Sequence, residues 1–159
     1  AVTILSAAIA GPMVLSIRSI GSAAVSQDQL VAFYLGQEAI EFVKNARDTN
    51  ILVKSSDWLD GLSLCKGAAG CYIDVIEKTV KDCGTLTGCP KLNFNGFNYT
   101  YKSDGSDGNT VFTRTVKIDD LIRTDGDEAK IDVAVSWTGK YGQKTMNLQN
   151  NIFNWYDYE

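Results

Sequence analysis

Hydrophobic positions at the start of the chain have no polar counterface. From Ala1 to Ile17 no residue is charged, and only Arg18 and Asp28 are charged before Glu38. A bilayer-spanning helix takes about 20 apolar residues. Seventeen at the helical rise reach about 26 Å, so the run makes a full span with a few apolar residues ahead of it. We expect a membrane-compatible helix; a leftover targeting segment and a buried core helix are the alternatives. A cleavable secretory signal needs a basic start, which this sequence does not show. The chain starts with Ala rather than Met, as a processed or truncated product would. Gly11-Pro12 interrupts the run. Proline removes an amide donor and clashes one turn back, costing about 3 kcal/mol or more, and glycine adds up to about 1 kcal/mol. The pair predicts a kink or a melted stretch near residues 8–12. In a lone span the freed groups need neighbouring helices, which points to packing against further copies.

The pattern then turns amphipathic. Val31, Leu35, Ala39, Phe42, Val43 and Ala46 recur at spacings of three and four, one helical stripe. Leu30, Phe33, Tyr34 and Ile40 widen it. Glu38, Glu41, Lys44, Arg47 and Asp48 lie mostly on the other side, with weak ion pairs expected for Glu41–Lys44 and Lys44–Asp48. The helix should end near Asp48-Thr49-Asn50, close to fifty residues from Ala1. Its first half leaves the domain and its second half packs on it.

Residues 51–96 read as an irregular connection rich in Gly, Ser, Asp and Lys. Beyond them the period becomes two. Phe97, Tyr99 and Tyr101 alternate with Asn98, Thr100 and Lys102. Phe112, Val116 and Ile118 share a face of a second strand. Ile131, Val133, Val135 and Trp137 mark a third, with Lys130, Asp132, Ala134 and Ser136 opposite. Met146 and Leu148 mark a fourth. Turn-forming clusters at 104–109, 125–127 and 138–142 separate them, and short connections favour an antiparallel meander. The expected fold is α+β: a long N-terminal helix, kinked or melted near Gly11-Pro12, on a four-stranded antiparallel sheet. Residues 1–26 form the exposed apolar helix. Residues 27–159 form the head, divided into helix (27–48), connection (51–96) and sheet (97–155).

Composition narrows the chemistry. Hydrophobic residues at 45% and charged residues at 21% describe a folded chain. A net charge of -4 gives no basic footprint for nucleic acid. The absence of histidine removes the commonest general base and nitrogen metal ligand. No spacing marks a nucleophile with its base, so no enzyme and no cofactor are expected. All four cysteines, Cys65, Cys71, Cys83 and Cys89, fall in the connection. An even count at short spacing points to two disulfides and an oxidising compartment. Of three possible pairings, Cys65–Cys71 with Cys83–Cys89 is favoured because both close short glycine-containing loops; nested Cys65–Cys89 with Cys71–Cys83 is the rival. The gaps do not fit paired CxxC zinc ligands. Asp104, Asp107 and Asn109 are oxygen ligands of the kind calcium takes, though without EF-hand spacing, and a plain hairpin turn is the simpler reading. Asn98-Tyr-Thr matches a glycosylation acceptor. Trp58, Trp137 and Trp155 read as core or interface anchors.

The uncharged Ala1–Ile17 helix with Gly11-Pro12 and the stretch Gln29-Leu-Val-Ala-Phe-Tyr-Leu-Gly-Gln-Glu-Ala-Ile-Glu-Phe-Val-Lys-Asn-Ala-Arg-Asp48 resemble a type IV pilin or pseudopilin. The cysteine loops and the closing segment from Val133-Ala-Val-Ser-Trp137 to Asn154-Trp155 join them, so the resemblance covers essentially the whole chain. Mature pilins carry an acid at their fifth position; here it is Leu5, and the family motif would lie upstream of Ala1. The resemblance implies a lollipop-shaped structural subunit of an extracellular filament. It would wait in the cytoplasmic (inner) membrane and meet a pilus assembly machinery. It would then polymerise with itself through Ile4, Leu5, Ala7, Ala8, Ile9, Gly11, Pro12, Val14 and Leu15. Small residues, Ala10 among them, would permit close helix approach, and no nucleic acid is required. A minor pilin or secretion pseudopilin, and a membrane-anchored extracytoplasmic binding domain, are the alternative readings.

Overall fold

The computed structural model describes residues 2–55, 57–84, 88–102, 108–119, 127–140 and 142–155, with side chains from Ser19 onward except those of residues 20, 108 and 109. Helix α1 runs Val2–Leu52, 51 residues or about 76 Å of axial length. It passes Gly11 and Pro12 without interruption, so the expected melted stretch is not there. Proline costs only one of the many amide bonds around it, and the flanking turns keep their own. The helix also outlasts its expected end. It stops after Leu52, where Lys54 takes a left-handed φ of 55°, Lys54 N–H bonds Ile51 O at 3.1 Å and Ser55 N–H bonds Asn50 O at 2.9 Å. Such local bonds close a helix C-terminus. Asn50 Nδ2 then donates to the carbonyls of Trp58 and Asp60, at 3.2 and 2.9 Å.

The sheet is antiparallel as expected, but among the described residues it has seven strands, not four: β1 Cys71–Asp74, β2 Thr79–Asp82, β3 Lys91–Phe94, β4 Tyr99–Thr100, β5 Gly108–Asp119, β6 Glu128–Gly139 and β7 Gly142–Phe153. The last three are twelve residues each and form the expected meander. The first expected strand shrinks to two residues. The outer edge of β5 is shared by two short hairpins, β3–β4 near Asn109–Thr113 and β1–β2 at Val116. These hairpins occupy the region read as irregular. Strands of four residues, two of them pinned by cystine loops, leave too short an alternation to stand out from turn composition.

Strand alternation builds the core. Ala129, Ile131, Val133, Val135 and Trp137 of β6 and Phe112, Val116 and Ile118 of β5 are buried under α1, which contributes Ala32, Leu35, Ala39, Ile40 and Val43. Gly36 lies against β7 so closely that a Cβ there would come 2.6 Å from Leu148 Cδ1. Gly70 is needed for two reasons: its φ is +74°, and a Cβ would meet Val116 O at 2.7 Å.

Candidate functional site: the helix–sheet seam and the helix face it leaves open

One buried polar cluster locks the seam, and a second braces the sheet beside it. Strict alternation along β5 puts residue 114 on the same face as Phe112, Val116 and Ile118, and residue 114 is an arginine, 1% exposed. Its Nη1 donates to Leu35 O at 2.8 Å and to Glu38 Oε2 at 2.6 Å, and Nη2 donates to Ile73 O at 2.6 Å. One side chain thus ties β5 to α1 and β1. Its Nε is buried with no hydrogen-bond partner among the described residues. A buried guanidinium is tolerable only when paired, which explains why Glu38 turns toward the sheet instead of joining the solvent side of the helix. Of the expected helical pairs, Glu41–Lys44 forms at 3.0 Å, while Asp48 is taken by Arg47 at 2.7 Å.

The second cluster centres on Asp74, which is 3% exposed. Its Oδ1 accepts from the amides of Ile76 and Glu77, and its Oδ2 from the Thr100 hydroxyl and the Tyr101 amide, all within 2.8–3.1 Å. Burial pushes the carboxyl up. The bonds from Tyr101, Glu77, Thr100 and Ile76 outweigh that and hold it below the usual carboxylate value of 3.8. The turn of the β1–β2 hairpin is thereby fastened to β4. Tyr101 lies between the clusters. Burial pushes its hydroxyl up to about 12, with Arg114 opposing and Asp74 and Glu38 adding to the rise.

The disulfides are Cys65–Cys71 and Cys83–Cys89, with Cα separations of 4.6 and 4.2 Å. The nested pairing is excluded. Asp104 and Asp107 lie outside the described residues. The Asn109 backbone pairs with Asn93 at the start of β5, and its side chain also lies outside them. Among the described residues no group of three or more His, Cys, Asp or Glu is placed to hold a metal ion. Asn98 is exposed at the tip of the β3–β4 hairpin, but the Thr100 hydroxyl of the acceptor triplet is buried on Asp74. Trp137 is buried, Trp58 partly buried and Trp155 exposed.

The helix face pointing away from the sheet is apolar where it leaves the head. Leu30, Phe33 and Tyr34, expected to widen the buried stripe, are 57%, 42% and 67% exposed. Phe33 and Tyr34 meet edge to face with ring centroids 5.9 Å apart. Beside them an open groove is lined by Val31, Tyr34, Leu35, Glu38 and Tyr99. Ala32 is the first residue of α1 described as buried. Ile4, Leu5, Ala7, Ala8, Ile9, Gly11, Pro12, Val14 and Leu15 all lie in α1 ahead of this point, with side chains outside those described. Among the described residues, no helix is long and apolar enough to cross a membrane. Arg114, Glu38 and Asp74 are the positions sequence reasoning missed; the first was signalled by its place in the β5 alternation. Searched against family models, curated proteins and solved structures, the chain matches none.

Proposed function

We propose that this chain is the structural subunit of a pilus-like extracellular filament, polymerising through α1 and held in the cytoplasmic membrane before assembly. One observation carries the reading: α1 has 51 residues, and Ala32 is the first buried residue among its described side chains. About 30 residues, or about 45 Å of helix, precede that point. In proteins most helical stability comes from packing of an apolar face rather than from propensity. Residues 1–17 lack charge and continue into the exposed Leu30, Phe33 and Tyr34 face. Such a surface is satisfied by lipid first and by like helices afterwards. The two environments are similarly apolar, so close packing at Ala7, Ala8, Ala10 and Gly11 decides the transfer. The head supports this role by rigidity: Arg114 ties the sheet to the helix that carries it, and the Asp74 cluster and two disulfides brace the hairpins beside it.

The test is reconstitution. The purified full chain in detergent, with detergent then removed, should form thin uniform filaments under negative-stain electron microscopy. Replacing Ala7 and Ala8 together by leucine should suppress them, because the helices can no longer approach. A chain that returns quantitatively to vesicles as a monomer refutes the proposal and leaves the anchored binding domain.

A further inference from the structure

The meander has two long edges, and only one is protected. The outer edge of β5 is capped by the two hairpins, whose own outermost stretch is charged at Glu77, Lys78, Lys81 and Asp82. Charge and short length are how sheets blunt an edge. The outer edge of β7 has neither device. Among the described residues no strand pairs with it. Its twelve residues, GQKTMNLQNNIF, include one charge, Lys144, and no proline. It is also regular: the β6–β7 register runs without a shift from Glu128↔Phe153 to Gly139↔Gly142, whereas β3–β5 shifts between Lys91 and Asn93.

We propose that β7 pairs antiparallel, edge to edge, with β7 of a second copy of this chain. The occupant follows from self-complementarity. A two-fold axis normal to the sheet brings together residues on the same face. On the helix side these are Lys144, Met146, Leu148, Asn150 and Ile152, with Ile152 buried. With the axis at Asn147, Met146 meets the second copy's Leu148, both already packed against the core. On the outer face Thr145 meets Gln149, Gln143 meets Asn151, and the two Asn147 side chains face each other. Every apolar residue between 144 and 150 then has an apolar partner, and Lys144 meets Asn150 rather than a like charge. Moving the axis to Leu148 sets Met146 against Asn150 and Lys144 against Ile152, which breaks that match. Because the axis is normal to the sheet, the two α1 helices run in opposite directions. The contact therefore joins subunits of different filaments, or subunits free in solution, rather than neighbours in one rod, and it stands whether or not the chain polymerises.

Disulfide trapping on the full chain in detergent tests the register. All four native cysteines are in disulfides, so an introduced thiol is the only free one. Asn147→Cys places two Cα atoms about 4.5–5.5 Å apart in the proposed pair, within bonding range. In Gln149→Cys the two thiols sit four residues out of register, about 14 Å apart, beyond it. Under mild oxidation Asn147→Cys should give at least about ten times more covalent dimer than Gln149→Cys, a tenfold preference corresponding to about 1.4 kcal/mol. Adding Thr145→Lys and Gln149→Lys to Asn147→Cys sets like charges opposite each other and should remove the dimer while the circular dichroism melt stays native. Equal trapping at 147 and 149, or no trapping at 147 in folded chain, overturns the proposal.

Discussion

Replacing Arg114 by alanine perturbs the seam at one point and leaves three elements without their common tie. The guanidinium is 1% exposed and donates to Leu35 O, Glu38 and Ile73 O. Removing one partner of a buried pair costs about 3–5 kcal/mol. Glu38 is partly open to water, with its side chain 34% exposed, which pulls the estimate toward the lower end. The backbone carbonyl of Ile73 adds about 1–3 kcal/mol if it is left buried and unpaired. We take about 4 kcal/mol as the expected loss, or about 8–16 °C in Tm at this chain length. Arg114→Met keeps most of the volume but leaves Glu38 and the two carbonyls without their donor, so it should cost nearly as much as Arg114→Ala; Arg114→Met combined with Glu38→Met, which removes both charges, should recover part of the loss. Glu38→Gln retains an acceptor for Nη1 but leaves the buried guanidinium without its counter-charge, so it should cost about 3 kcal/mol. The assay is urea unfolding of the full chain in detergent, followed by tryptophan fluorescence with disulfides intact. Trp137 sits in the core beside Phe112, with ring centroids 6.0 Å apart. If Arg114→Ala lies within about 1 kcal/mol of the parent, or adding Glu38→Met to Arg114→Met recovers nothing, the account of the seam is wrong.

Four further outcomes follow from the same structure. The folded pKa of Asp74 is depressed, so its contribution is present above the unfolded value of 3.8 and lost as pH falls through the lower folded value; Asp74→Asn should flatten that acid limb in thermal melts taken from pH 5 to pH 2. Gly36→Leu forces Leu148 off the helix and should cost about 1–3 kcal/mol in urea, an effect that pairing it with Leu148→Ala should partly relieve. Removing either disulfide by paired alanine substitution opens a loop with a sequence separation of 6 and should cost about 2 kcal/mol each in the same measurement. Leu30→Ser with Tyr34→Ser alters only exposed positions, so the melt should move by less than about 0.5 kcal/mol while filament yield on detergent removal falls.

Legibility in the sequence tracked element length. Strands β5, β6 and β7, at twelve residues each, show enough alternation to be read directly; Ile131 to Trp137 lie on the expected face. Strands β1, β2 and β3 have four residues each, too few for a period to emerge among Lys, Asp and Asn. The disulfides were readable as two tight loops because each pair is close in sequence. Asp74 was not readable at all: its partners Thr100 and Tyr101 are 26 and 27 residues away, and only the branched sheet brings them together. Arg114 was readable in principle, since alternation points it inward, but a basic residue among Phe112, Val116 and Ile118 looks like an exception rather than a keystone until Glu38 is seen opposite. At Pro12 the penalty is local, and a helix of 51 residues carries it without interruption. Leu30, Phe33 and Tyr34 fit the stripe by spacing yet stay exposed, although Ala32 between them is buried and Asp28, nearer the helix N-terminus, lies beside Gly139 of β6.

The central claim is that α1 assembles copies of this chain into a filament. Electron microscopy of material sheared from the native cells, with mass spectrometry of the same fraction, tests it most directly. The account predicts thin filaments composed mainly of this chain, with the N-terminal residue of the assembled form read from the spectrum. If the chain is retained with the membrane and no filament contains it, the claim is contradicted.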